Sequence, residues 1–145
     1  MKLIRVFGAV AVSLSLCAPA LVLAKTVNFT SELLPSSEVP PNDTTGKGHL
    51  YATYDTSTKS FGYKVTYDGL SGAATAAHFH GPAAEGQNAG PVIPIPKDAL
   101  ASPIQGKQTL NDQQEADLLA GKWYFNVHTA AHPGGEIRGQ LTPGM

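Results

Sequence analysis

The residues of this chain best suited to chemistry are its histidines, and they fall into two short clusters. His78 and His80 form a His-x-His pair within Ala76-Ala77-His78-Phe79-His80-Gly81-Pro82. His128 and His132 flank a turn in Asn126-Val127-His128-Thr129-Ala130-Ala131-His132-Pro133-Gly134-Gly135-Glu136, and only His49 lies apart. Successive side chains on a strand point to opposite faces, so His78 and His80 face the same way. Two imidazoles on one face, with a third from another strand, can hold a transition metal. Neutral imidazoles suit copper(II), zinc or nickel. His78, His80 and His128 are the candidate ligands, with His132 as a fourth that swings in from the turn. Glu136 could orient a ligand from behind. Copper is the expected ion and zinc the alternative.

Other catalytic constellations are thin. There is no Gly-x-Ser-x-Gly elbow and no phosphate-binding loop, and Gly134-Gly135 reads as a hairpin turn. No close carboxylate pair suggests glycoside hydrolysis. The bland alternatives are equally definite. A histidine facing outward from a strand can simply be solvated, and His49, alone among polar neighbours, reads that way. Glu136 and Arg138 read as an exposed ion pair on a sheet face, which is worth little. Glu32, Glu38 and Asp43 read as scattered, solvated acids.

The start of the chain is read as a signal peptide. Lys2 and Arg5 precede an apolar run over residues 6–16, too short to span a bilayer, and Val22-Leu23-Ala24 offers a small-residue cleavage site. Cleavage is expected after Ala24, leaving residues 25–145 as one domain in the periplasm or outside the cell. The bulky Leu16 before Cys17 argues against a lipid anchor there. The mature chain would then hold no cysteine, which excludes disulfides and thiolate metal sites. It would carry eight basic against 11 acidic residues, a net charge of −3, with no electrostatic reason to bind nucleic acid. It has no second apolar run long enough to cross a membrane.

The elements that must position the histidines read as an all-β fold with one short helix. Alternating apolar residues predict strands over 26–34, 48–55 and 61–67, a fourth over 74–80, and two more over 123–128 and 136–141. The prolines of Pro91-Val92-Ile93-Pro94-Ile95-Pro96 restrict that segment to an edge or to irregular extended chain. Residues 35–45 read as a long turn region and residues 82–87 as a loop. The helix is predicted over 111–120: Asn111 is a good N-cap, Gln114 completes a capping box, and Gly121 suits the residue after the C-cap. Short strands with Gly/Pro turns indicate a β-sandwich or barrel.

The last hairpin orients the site. Trp123, Phe125 and Val127 share one face and Tyr124, Asn126 and His128 the other. On the returning strand Ile137 and Leu141 oppose Glu136 and Arg138. The apolar sets must meet in the core. That leaves His128, Asn126, Glu136 and Arg138 on the outer face, with Asn126 opposite Arg138. Ala77 and Phe79 fit the core side of the fourth strand, so His78 and His80 also face outward, under whatever loops cover that face. The outer face is expected to contribute little to the core.

Several of these segments together resemble the CHRD domain, named for its occurrence in chordin. They are Glu38-Val39-Pro40-Pro41, His78-Phe79-His80-Gly81-Pro82-Ala83, Leu118-Leu119-Ala120-Gly121, Tyr124-Phe125-Asn126-Val127-His128-Thr129 and Pro133-Gly134-Gly135-Glu136-Ile137-Arg138-Gly139-Gln140-Leu141. The resemblance implies a secreted, immunoglobulin-like β-sandwich with Greek-key connections. It implies no particular activity; in chordin the domain belongs to an extracellular protein that binds growth factors. The histidine pattern alone is also similar to copper/zinc superoxide dismutases, which present copper outside a Greek-key sandwich. Only His78, His80 and His128 map onto that copper set; the cysteine pair, the bridging histidine and a full zinc set are missing. Three functions are therefore expected in order: an exported, non-enzymatic metal-binding domain; an extracellular protein-interaction module without metal; and a copper oxidoreductase of the dismutase kind, with Arg138 helping to attract an anion.

Overall fold

The computed structural model describes residues 25–144. The signal-peptide expectation falls on residues outside that range. Among the described residues nine strands form two antiparallel sheets, joined by one α-helix: β1 (Thr26–Leu33), β2 (Lys47–Asp55), β3 (Ser60–Asp68), β4 (Ala74–His80), β5 (Pro91–Pro94), β6 (Ile104–Thr109), α1 (Asp112–Leu119), β7 (Tyr124–Thr129), β8 (Ile137–Gln140) and β9 (Thr142–Pro143). One sheet runs β6-β3-β2-β1-β9 and the other β5-β4-β7-β8. The chain makes the β1-β2-β3 meander, crosses to β4 and β5, returns for β6, and crosses again for β7 and β8. This interleaving makes an all-β sandwich, and the order of strands in space is not their order in sequence.

The strand alternation follows the sequence closely. Leu50, Ala52 and Tyr54 of β2 and Phe61 and Val65 of β3 are fully buried and meet Phe79, Phe125 and Val127 from the other sheet. Phe79 packs edge-on against Phe61 and Phe125, with centroids 5.2 and 4.7 Å apart. Such pairs add about 0.5–1.5 kcal/mol each to the area they bury. The helix forms as its caps direct. Asn111 accepts a hydrogen bond from the Gln114 amide and Gln114 returns one to the Asn111 amide, while Gly121 takes φ +69° beyond the last turn. Pro91 and Pro94 lie in β5, the sheet edge, where a missing donor is tolerated. Among the described residues no helix is long and apolar enough to cross a membrane.

The outer face of β4-β7-β8 departs from expectation. Every residue of β7 is buried, on both faces. Three segments cover it: the chain from Leu34 to Thr45, the loop from Gly81 to Gly90, and the β7–β8 hairpin. The first opens with a 3-10 turn, Pro35–Ser37, and is joined to β8 by paired hydrogen bonds between Leu34 and Arg138. Asn42 donates to the Glu136 carbonyl, and Asn88 donates to the Val39 carbonyl. What reads as a long turn region is therefore a cover. The outer face forms a second, polar interior layer, and its side chains matter to the fold.

Candidate metal centre

β4 and β7 bring three of the histidines together. His78 pairs with Asn126 across the sheet and lies diagonally from His128; His80 pairs with Tyr124. Ligand atoms of His78, His80 and His128 all lie within 4.8 Å of one another. His78 Nδ1 is 3.1 Å from His128 Nε2. Two nitrogens bound at about 2.05 Å to one ion stand about 2.9 Å apart at right angles and about 3.3 Å apart at tetrahedral angles. That pair is already at bonding separation, and the third ring, within 4.8 Å, has to draw in to share the ion.

Backbone carbonyls set the orientation of two rings. His80 Nδ1–H donates to Ala89 O at 2.9 Å and His128 Nδ1–H donates to Pro133 O at 3.0 Å. Each bond fixes the tautomer and leaves Nε2 free as a donor to a metal. His80 and His128 are only 8% exposed, whereas His78 is half-buried and marks the side open to solvent. Burial pushes all three imidazoles below the usual histidine range. At His78 the neighbouring His128 and His80 add to this, while the bonds to Ala89 and Asn126 oppose it at His80 and the bond to Pro133 opposes it at His128. Each ring is thus biased toward the neutral form that a ligand requires.

The other expected residues fall elsewhere. His132 is not in the three-histidine group; its amide donates to the Thr129 hydroxyl, and it lines a cleft with Glu38, Pro40 and Gly134. Glu136 and Arg138 do not form the expected ion pair, because each is buried and committed to other partners. Glu136 accepts from the Ser71 amide and hydroxyl at 2.7 and 2.6 Å and from the Thr129 hydroxyl at 2.6 Å. Burial pushes its carboxyl up, but those bonds outweigh it and hold the group below the usual range. Arg138 donates to Gln87 O at 2.6 Å and Asn88 Oδ1 at 2.8 Å and stacks 3.4 Å above the Tyr124 ring, which itself stacks on His80. It clamps the loop that carries Ala89 and is not free to attract an anion. His49 is exposed and only loosely near Glu32, at 3.6 Å, as a solvated histidine should be.

Sequence reading missed Glu38. It is 5% exposed, and its Oε1 has no hydrogen-bond partner. Burial raises its carboxyl to about 7, against the opposing pull of Arg138, the Asn126 amide and the Val39 amide. Gly135, at φ +130°, leaves room for it, since a Cβ there would collide with the carboxylate. The signal was its place in Glu38-Val39-Pro40-Pro41, one of the segments that carried the resemblance.

A family model described as the CHRD domain matches residues 29–141, from the first core strand to Leu141. The chain belongs to the CHRD domain family. All three clustered histidines and the covering segments lie inside the matched region of this CHRD domain. No curated protein and no solved structure matches the chain significantly.

Proposed function

We propose that this CHRD domain is an exported metal-binding protein, non-enzymatic, that holds a copper ion through His78, His80 and His128. The observation that carries the reading is the convergence of three imidazoles, two with Nδ1–H tied to backbone carbonyls so that Nε2 is presented. Nitrogen donors without thiolate favour copper(II), nickel(II) or zinc(II), and copper(II) binds most tightly in that series. Zinc is the competing ion. The charged start, the short apolar run and Val22-Leu23-Ala24 support export to the periplasm or beyond.

The test is a copper(II) titration of protein purified without a histidine tag, compared with His78→Ala and His128→Ala. Each variant should bind at least about tenfold more weakly. Binding should also weaken on acidification, with protons competing for the same nitrogens only below the usual histidine range because burial lowers all three rings. If both variants bind as tightly as wild type, the shared site does not exist, and the extracellular interaction module becomes the better reading.

A further inference from the structure

Asn126 lies at the centre of the polar layer, 3% exposed, between His78 and Arg138 on the neighbouring strands. Its Oδ1 is 3.1 Å from His80 Nε2. A carboxamide oxygen only accepts hydrogen bonds. His80 Nε2 also only accepts when the ring is neutral, because its single proton sits on Nδ1 and goes to Ala89 O. With His80 neutral, no proton lies between these two buried atoms, and unsatisfied buried polar atoms are costly; a second ring proton would turn the contact into the hydrogen bond that opposes the lowering of the His80 pKa. A cation shared between them removes the conflict. The 3.1 Å separation lies between the about 2.9 Å of two donors at right angles on an ion and the about 3.3 Å at tetrahedral angles, and it repeats the 3.1 Å between His78 Nδ1 and His128 Nε2.

The far side of Asn126 supports the same conclusion. The buried Glu38 carboxyl faces its amide group, and Gly135 keeps that space open. An amide N–H donating to a carboxylate draws electron density toward the amide oxygen and makes it a better ligand, in the way outer groups tune metal ligands generally.

We propose that Asn126 Oδ1 is the fourth protein ligand, with Glu38 as the positioning residue behind it, so that the site is built of three nitrogens and one oxygen. This rests on the metal-binding reading and adds a donor that is neither histidine nor acid. His132 has no place in this set.

The test uses the full mature protein, isotopically labelled and metal-free, titrated with zinc(II) and followed by NMR. The ring nitrogens of His78, His80 and His128 and the side-chain carbonyl carbon of Asn126 should shift together and saturate at one equivalent, with both Asn126 amide protons retained. If the histidines shift and the Asn126 carbon does not, solvent holds the fourth position and the proposal is wrong. If none of the histidines shifts, the metal-binding reading itself falls and takes this one with it. A second measurement uses copper(II). Asn126→Leu should lose at least about tenfold in affinity and change the parallel hyperfine splitting in electron paramagnetic resonance. Glu38→Gln should lose about tenfold, and His132→Ala should match wild type in both. An unchanged hyperfine splitting in a folded Asn126→Leu protein would overturn the proposal.

Discussion

Glu38 makes a prediction in which stability and binding move in opposite directions. Its carboxyl titrates at about 7 in the folded protein against 4.5 as an ordinary group. A group whose folded pKa lies above its unfolded value stabilises the fold fully below the unfolded value, and that contribution is lost as pH rises through the folded one. At ~1.36 kcal/mol per pH unit, the interval from 4.5 to about 7 amounts to about 3 kcal/mol. Glutamine keeps the shape and does not titrate. Glu38→Gln should therefore gain on wild type by about 3 kcal/mol between roughly pH 4 and pH 8. The measurement is urea unfolding of both metal-free proteins, with a chelator present, across that range. The three clustered histidines titrate alike in both and cancel in the difference. Parallel stability curves, differing by a constant within about 0.5 kcal/mol, would show that Glu38 carries no abnormal ionisation. The reasoning about a bare buried carboxyl would then fail. A stabilising change that weakens metal binding would fit the trade-off expected where strain is kept for function.

Three further outcomes are expected. Phe125→Ala removes a fully buried ring that packs against Phe79 and should cost about 3–5 kcal/mol in urea unfolding; a loss under about 1 kcal/mol would mean that ring is not part of the core. Arg138→Met takes away both hydrogen bonds to the loop and the stack on Tyr124. It should cost about 3 kcal/mol and weaken copper binding through the loosened Ala89 carbonyl, and wild-type affinity in a folded variant would show that the loop does not set His80. Mass spectrometry of the exported protein should find an N-terminus at Lys25; a mature form that retains Cys17, free or lipidated, would refute the cleavage reading.

The strands and the helix were legible in the sequence because each depends on local chemistry. The period-2 alternation of Phe61 and Val65, and the Asn111–Gln114 capping pair, operate within a few residues of chain. The same period placed His78, His80 and His128 on one face, and topology then set β4 beside β7. Burial of that face was not legible. A strand with Asn126 and His128 opposite Phe125 and Val127 reads as half-exposed, and only the covering segments make it an interior layer. Glu38 was misread for the same reason: nothing near it in sequence reveals that Gly135 and Asn126 enclose it.

The sequence by itself determined the all-β class, the helix with its caps, the apolar face of each strand and the direction in which the histidines point. All of these follow from side-chain periodicity and backbone preference, which act at short range. Only the tertiary structure decided which polar groups meet. Ala89 and Pro133 turn His80 and His128 toward a common point, Arg138 holds the loop instead of pairing with Glu136, and Glu38 lies behind Asn126. The contacts of Arg138 with Gln87 and of Glu38 with Asn126 join residues far apart along the chain, while those of His80 with Ala89 and of His128 with Pro133 are made by loops that the tertiary fold sets in place. Their geometry depends on how three separate segments close over one sheet face, and no local pattern encodes it.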